Sequence, residues 1–422
     1  MDGKRLLISI TTLIIVGVIV FAIVSLPAGK RDQKPVVWID YPRNGEEVYG
    51  IFIVRGRAYD PEGKIEFVEV KVNEGEWKRV KGAENWSCEV NTEKIREDVC
   101  YIYARAWDGY QYSDVVKVKV YIERIVESDI HKWAIFVAAA NVEIGKKKLG
   151  NGILFLAEEM ARYFINNLSF PSCHVFILFD DGWIRSNNGE GERICTLQER
   201  PSSIDGVIYG PATKKFFTFV IDKVKNDANK YNDSEVFMWI SGHGVGDPNQ
   251  KFTGGKILER SEIILWDSIL SDRELGSALE DLKAKLCLIV DSCYSGGFAN
   301  RVIFNIPSFL KSGIPKDGRI VITGESKFSI GYSSSLSGPL FTRLWFEGLK
   351  SGKADGFKRG ILSIGGRLHF RFLKDGKVSV EEAFYYAKYM IRVNYPSLIL
   401  MQPQINDMYP HPFPFNRKEM FL

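Results

Sequence analysis

The chain holds only five histidines in 422 residues. None stands at zinc-ligand spacing from another histidine or a cysteine, so a metal centre built on imidazole is not expected. No Gly-x-Ser-x-Gly elbow occurs, which argues against a serine nucleophile on a strand-to-helix turn. Blocks of basic residues are missing too: 56 basic side chains meet 52 acidic ones, for a net charge of +4. Without a basic stretch interleaved with aromatics there is no nucleic-acid footprint, and nucleic acid is not an expected partner. The one glycine series that resembles a phosphate loop, Gly242-x-Gly244-x-Gly246, runs into Asp247-Pro248 instead of a helix start, and the phosphate reading is weak for that reason. No cofactor and no metal are implied.

What is present is the composition of folded protein, 45% hydrophobic and 26% charged, at a length that calls for two or three domains. After a short tail (1–5), residues 6–26 are an uncharged run rich in Ile, Val and Leu, long enough to cross a bilayer. This is expected to be a single-pass membrane anchor, or a signal segment cut near Ala28-Gly29. Lys4 and Arg5 on one side face Lys30, Arg31 and Lys34 on the other, so charge does not orient it. A lone N-terminal segment before a large folded region places the bulk of the chain outside the cytoplasm. Of the six cysteines, Cys88 with Cys100 and Cys173 with Cys195 have spacings that a bridge can span. Six free thiols are the equal alternative. The sequons at Asn85, Asn167 and Asn232 matter only in a glycosylating compartment.

A linker (27–34) leads to residues 35–125, where short alternating runs such as Val68–Val72 and Val116–Val120 are separated by turn signals at Asn44-Gly45, Asp60-Pro61, Asn73 to Gly75 and Asp108-Gly109. That spacing suits a β-sandwich, with a generic immunoglobulin-like stretch at 101–109. Asp60 and Asp108 read as turn formers before calcium ligands.

From residue 130 to 415 the period changes. Strands are expected at Trp133–Ala139, Val175–Phe179, Val236–Ile240, Leu286–Val290 and Arg319–Thr323. Between them lie helical faces: Ile153, Leu156, Ala157, Met160 and Phe164; then Phe216, Phe219, Val220 and Val224; then Leu275, Ala278, Leu279 and Leu282 behind a Ser271…Glu274 capping box. Leu340–Leu349 is a further helix, and a second box, Ser379…Glu382, opens a late one. Alternation of this kind gives an α/β fold, a mainly parallel sheet with helices on both faces. Connections at Gly182–Pro211 and Asp247–Ser261 exceed usual lengths.

In such a sheet, residues just past the carboxyl ends of strands share one crevice. Here they are Asn141, His243, Cys293 and Glu325. A thiol near its ordinary pKa is protonated at neutral pH and needs an imidazole to become a nucleophile. Gly244 and the N–H of Cys293 are candidate oxyanion donors.

The pairing of Ser241-Gly242-His243-Gly244 with Asp291-Ser292-Cys293-Tyr294-Ser295-Gly296 on consecutive strands resembles the caspase, metacaspase and legumain clan of cysteine peptidases. The likeness covers about two thirds of the chain. It implies a caspase- and legumain-like domain over 130–415, with Cys293 as nucleophile and His243 as proton carrier. Asn141 sits where legumain-type enzymes orient the histidine. Asp291 matches the acid with which metacaspases receive a basic P1 side chain, and Glu325 and Ser326 are candidate pocket lining. The second acid of the legumain pocket has no counterpart, since that region reads Ser337-Gly338-Pro339, and no ligand cluster matches the calcium site of metacaspases.

Three readings follow: a membrane-tethered cysteine endopeptidase acting on protein or peptide substrates, a transpeptidase or transamidase, and a non-enzymatic adhesion or assembly protein with an inactive peptidase-like domain. Oligomeric state is left open.

Overall fold

The structure, a computed structural model, describes residues 33–61, 63–122, 128–142, 147–247, 249, 254–357, 374–411 and 418–422. The expected membrane segment at 6–26 lies outside them. Among the described residues no helix is long and apolar enough to cross a membrane. The chain divides into two compact units, Met1–Glu123 and Arg124–Leu422.

In the first unit the alternating runs form eight strands: β1 (Val36–Tyr41), β2 (Glu46–Val48), β3 (Ile51–Tyr59), β4 (Phe67–Val72), β5 (Lys78–Arg79), β6 (Asn85–Asn91), β7 (Val99–Trp107) and β8 (Val116–Ile122). They make a sheet in the order β1-β3-β6 and another in the order β2-β8-β7-β4-β5. Val54, Trp86, Val68, Cys100, Ile102 and Val120 from both sheets share one core, so the expected sandwich is present. Asp108 is a turn former: its Oδ1 accepts the N–H groups of Tyr110 and Gln111 at 2.7 and 2.8 Å.

The second unit is α/β. Its strands are β9 (Lys132–Ala139), β10 (Val175–Phe179), β11 (Trp183–Ile184), β12 (Cys195–Thr196), β13 (Ile208–Gly210), β14 (Glu235–Gly242), β15 (Glu262–Ile264), β16 (Ile269–Ser271), β17 (Lys285–Asp291), β18 (Arg319–Thr323), β19 (Ser333–Ser334), β20 (Gly338–Pro339) and β21 (Gln404–Asp407). The helices are α1 (Gly152–Leu168), α2 (Lys214–Ala228), α3 (Asp272–Ala278), α4 (Leu340–Ser351) and α5 (Val380–Asn394). Seven strands form the main sheet in the order β13-β10-β9-β14-β17-β18-β21, parallel except for the last pair.

All five expected strands occur, and both capping boxes close as read, Ser271 with Glu274 and Ser379 with Glu382. The sheet faces alternate as pleating demands. Phe136, Phe237, Trp239, Ile289 and Ile322 pack with α1, α4 and α5. Their neighbours Ile135, Val137, Met238, Leu288 and Val321 are equally buried but point to the other face, which α2 and α3 cover. Phe219 is only half-buried, and Phe217 takes the core position on α2.

Two edge strands, β13 and β21, were not expected. The long connection at 182–211 supplies the first, together with the β11–β12 hairpin, so its length is spent on structure. All six cysteines are free thiols, which removes the bridged alternative.

Candidate active site

The reactive pair is set by strand register. β14 and β17 run parallel, with Ser241 paired opposite Asp291, and the Ser241 hydroxyl donates to the Asp291 carbonyl at 3.0 Å. Two residues beyond that rung stand His243 and Cys293. Neighbouring strands lie about 4.8 Å apart, so the ladder brings both residues to one edge. Gly244 closes the gap: a Cβ built on it would lie 1.9 Å from the Cys293 carbonyl oxygen and 3.2 Å from the Cys293 Cα. Only glycine allows this approach. Within Ser241–Gly244 and Asp291–Gly297 every residue is buried except His243 and Cys293, which are half-exposed.

His243 is held by main chain. Its Nε2 lies 2.7 Å from the carbonyl oxygen of Lys147. A carbonyl only accepts, so Nε2 carries the proton, and in the neutral ring the lone pair sits on Nδ1. The His243 carbonyl accepts from Ile264 at 2.8 Å, and Val245 donates to Glu262 at 3.0 Å, tying this segment to the β15–β16 hairpin.

Cys293 stands on a strained turn. Tyr294, directly after it, has φ 59°, the left-handed region that costs a non-glycine residue on the order of 1 kcal/mol. Neighbours hold it there: Tyr294 N–H donates to the Ser329 carbonyl at 2.9 Å, and its own carbonyl accepts from Ser261 Oγ at 2.6 Å. Ser261 Oγ also accepts from Gly297 N–H at 3.0 Å. The sulfur receives the Gly331 N–H at 3.4 Å, and the amide of Gly244, which packs against the Cys293 main chain, also lowers the thiol. Burial pushes the thiol up to about 11, against the lowering effect of the two amides; Glu325 and Asp291 add to the rise.

Asp291 is buried, and its Oδ2 accepts from Thr342 N–H at 2.9 Å and Thr342 Oγ1 at 2.6 Å. Thr342 lies in the first turn of α4, so the carboxylate caps a helix. Thr342 Oγ1 in turn receives Trp239 Nε1 at 2.9 Å. Both described hydrogen bonds of Asp291 fall on Oδ2. Its Oδ1 lies by Gly324, 2.2 Å from where a Cβ there would sit. Burial raises the carboxyl to about 6, opposed by the two Thr342 bonds.

Glu325 and Ser326 are fully buried. Glu325 Oε2 accepts from Ser329 Oγ at 2.8 Å and Gln402 N–H at 3.1 Å, while Oε1 has no hydrogen-bond partner. Burial carries this carboxyl well above its ordinary value. Ser326 Oγ is shared with Ser329 Oγ at 3.0 Å and accepts from Phe328 N–H at 3.1 Å. It shapes a turn and offers nothing to a surface groove.

Asn141 makes no described hydrogen bond to His243. Its Nδ2 donates to Asp180 Oδ2 at 2.7 Å and its Oδ1 accepts from Gly150 N–H at 2.9 Å. Asp180 also accepts from Ala140 and Asn141 N–H at 2.7 and 3.1 Å; burial raises it to about 7, against those three bonds. Both ends of the Asn141 amide are thus spent on loop architecture, and the contact that orients His243 comes from Lys147. Sequence reasoning had no means to find a carbonyl or the Gly331 amide, because neither depends on a side chain. Asp180, right after β10, stands at a strand end like the expected site residues, and that position is its visible signal in the sequence. Among the described residues no cluster of His, Cys, Asp and Glu is suited to a metal.

No family model matches the chain, and no curated protein does. Among solved structures, caspase-1 from Spodoptera frugiperda is similar at 10% identity over 68% of this chain and 94% of that one, with a TM-score of 0.35. Protein GSU0716 from Geobacter sulfurreducens is similar at 17% identity over 53% of this chain and 83% of that one, TM-score 0.30. The endo-beta-1,4-mannanase from Thermotoga petrophila matches at 15% identity over 23% of this chain, TM-score 0.20, and the chain spans 21% of that enzyme's length. Likenesses at these TM-scores carry no argument about this chain.

Proposed function

We propose that the second unit is a cysteine endopeptidase in which Cys293 attacks the substrate carbonyl and His243 carries the proton. The observation behind this reading is the burial pattern: in two otherwise buried motifs, on adjacent strand ends, His243 and Cys293 are the two residues that are only partly buried, and Gly244 lets their main chains meet. Because burial keeps the resting sulfur protonated, the nucleophile forms as it is used. The S–H proton passes to the lone pair of His243 Nδ1, and the electron pair left on sulfur forms the bond to carbon. The protonated ring then gives that proton to the departing amine, and water releases the thioester. The Gly244 and Cys293 N–H groups are the proposed oxyanion donors. Asp291 Oδ1, by Gly324, is the proposed receiver of a basic P1 side chain. Membrane tethering through residues 6–26 and an extracytoplasmic location belong to this proposal.

A raised thiol also suits an inert cysteine, which favours the non-enzymatic reading. One experiment separates them. A peptide library is incubated with wild type and Cys293→Ala, with and without an added amine. Cleavage lost in the variant supports the proposal, capture of the amine marks transfer, and cleavage unchanged by Cys293→Ala refutes it.

A further inference from the structure

The segment after β18 does more than connect. Glu325 lies at its start, Ser329 accepts the Tyr294 amide, and two residues later Gly331 turns its N–H to the Cys293 sulfur at 3.4 Å. From the other side, Gly244 packs against the Cys293 main chain, and its amide also lowers the thiol. The geometry points to a main-chain seat for the thiolate, built from the amides of Gly331 and Gly244, with Glu325 as the positioning residue that fixes the Gly331 half. This rests on the reading of Cys293 as nucleophile.

An amide pointed at sulfur gains strength when the sulfur is charged, so the seat favours thiolate over thiol. The other ionisable groups facing the sulfur are Asp291 at the end of β17, Tyr294 directly after the cysteine, Glu325 after β18, and Tyr332 beyond Gly331; His243 arrives from β14. Both carboxyls oppose the charge, which leaves the two amides to favour it alongside the imidazole. Glu325 anchors the arrangement through Oε2, joined to Ser329 Oγ and to Gln402 N–H before β21. Its chain packs beside Gly331: a Cβ there would be 3.4 Å from Glu325 Cγ and 3.6 Å from Oε1. Gly331 lies outside the left-handed region, so alanine is tolerated while keeping the N–H, and proline removes it.

The readout is the alkylation rate of Cys293 by iodoacetamide in the full chain, followed by mass spectrometry at fixed pH between 7 and 9. A charge-assisted hydrogen bond corresponds to roughly one to two pKa units. The matching fall in thiolate is partly offset by greater nucleophilicity, leaving a net slowing of about three- to tenfold. Gly331→Pro should show this, and Gly331→Ala should match wild type. Glu325→Ala should slow alkylation in the same way, and Glu325→Gln, whose amide oxygen can accept both bonds, should restore the rate.

Should Gly331→Pro fail to fold, wild-type protein labelled with 15N-glycine gives the answer. The signal missing from Gly331→Ala identifies Gly331, and it should shift with pH as Cys293 ionises and stay fixed in Cys293→Ser. Equal alkylation of folded Gly331→Pro and wild type, or a Gly331 signal that ignores Cys293, overturns the seat. Loss of the peptidase reading would instead show as absent cleavage with the seat intact.

Discussion

The contact between Gly244 and Cys293 makes a sharp test. Gly244→Ala adds one methyl carbon whose ideal position is 1.9 Å from the Cys293 carbonyl oxygen, where ordinary contacts begin near 3.4 Å. Both partners are main chain, so no side chain can swing aside, and the Cys293 turn must retreat by more than an ångström. Gly244 lies outside the left-handed region, so the effect is steric alone. Displacement of that size costs about 100-fold in rate, equivalent to about 2.7 kcal/mol of activation free energy. The fold should lose only about 1–3 kcal/mol, the usual range for overpacking. The assay is alkylation of Cys293 and cleavage of the best library peptide, with urea denaturation for stability. Gly331→Ala, whose new carbon meets nothing closer than 3.4 Å, is the control. If Gly244→Ala works within twofold of wild type, the close approach is not what aligns the pair.

Asp291→Asn keeps an acceptor for Thr342 but does not titrate. Burial raises Asp291 from 3.8 to about 6, so its contribution to stability is whole below pH 3.8 and is lost as pH rises through about 6. Denaturation from pH 4 to 7 should show wild type losing about 2 kcal/mol relative to the variant, at about 1.36 kcal/mol per pKa unit; a constant difference would contradict the burial argument. Asn141→Ala strands Gly150 N–H and one oxygen of Asp180, costing about 2–4 kcal/mol, while the folded fraction keeps its alkylation rate. A rate loss at full stability would return Asn141 to the histidine. Arg200→Leu leaves Glu158, its buried ion-pair partner, uncompensated apart from Tyr209 at 3.0 Å, and calorimetry should find about 3–5 kcal/mol of destabilisation.

Much of the second unit was legible because its signals are local. Apolar runs of five to eight residues mark β9, β10, β14, β17 and β18, and two capping boxes mark the starts of α3 and α5. The edge strands escaped notice because β13 and β21 are short and are defined by their neighbours on the sheet. At the site, the His243 and Cys293 strand ends could be paired from sequence, since consecutive parallel strands deliver their carboxyl ends to one edge. The fate of each polar side chain could not. Asn141 and Glu325 are chemically suited to a site, yet they find partners 39 and 77 residues away, in Asp180 and Gln402, while Ser326 is drawn into its own turn. Lys147 and Gly331 act through main-chain atoms, on which residue type is silent.

The rung between Ser241 and Asp291 has an evolutionary consequence. The spacing of thiol and imidazole depends on the hydrogen-bonded ladder of β14 and β17 and on one glycine, and not on the length of the loops that follow. Positions such as 190–192, the exposed tip between β11 and β12, are therefore free to gain, lose or exchange residues without detuning the chemistry. A scaffold of this kind can change what it recognises while keeping how it reacts, and grafting alternative loops at those positions is a direct route to new selectivity.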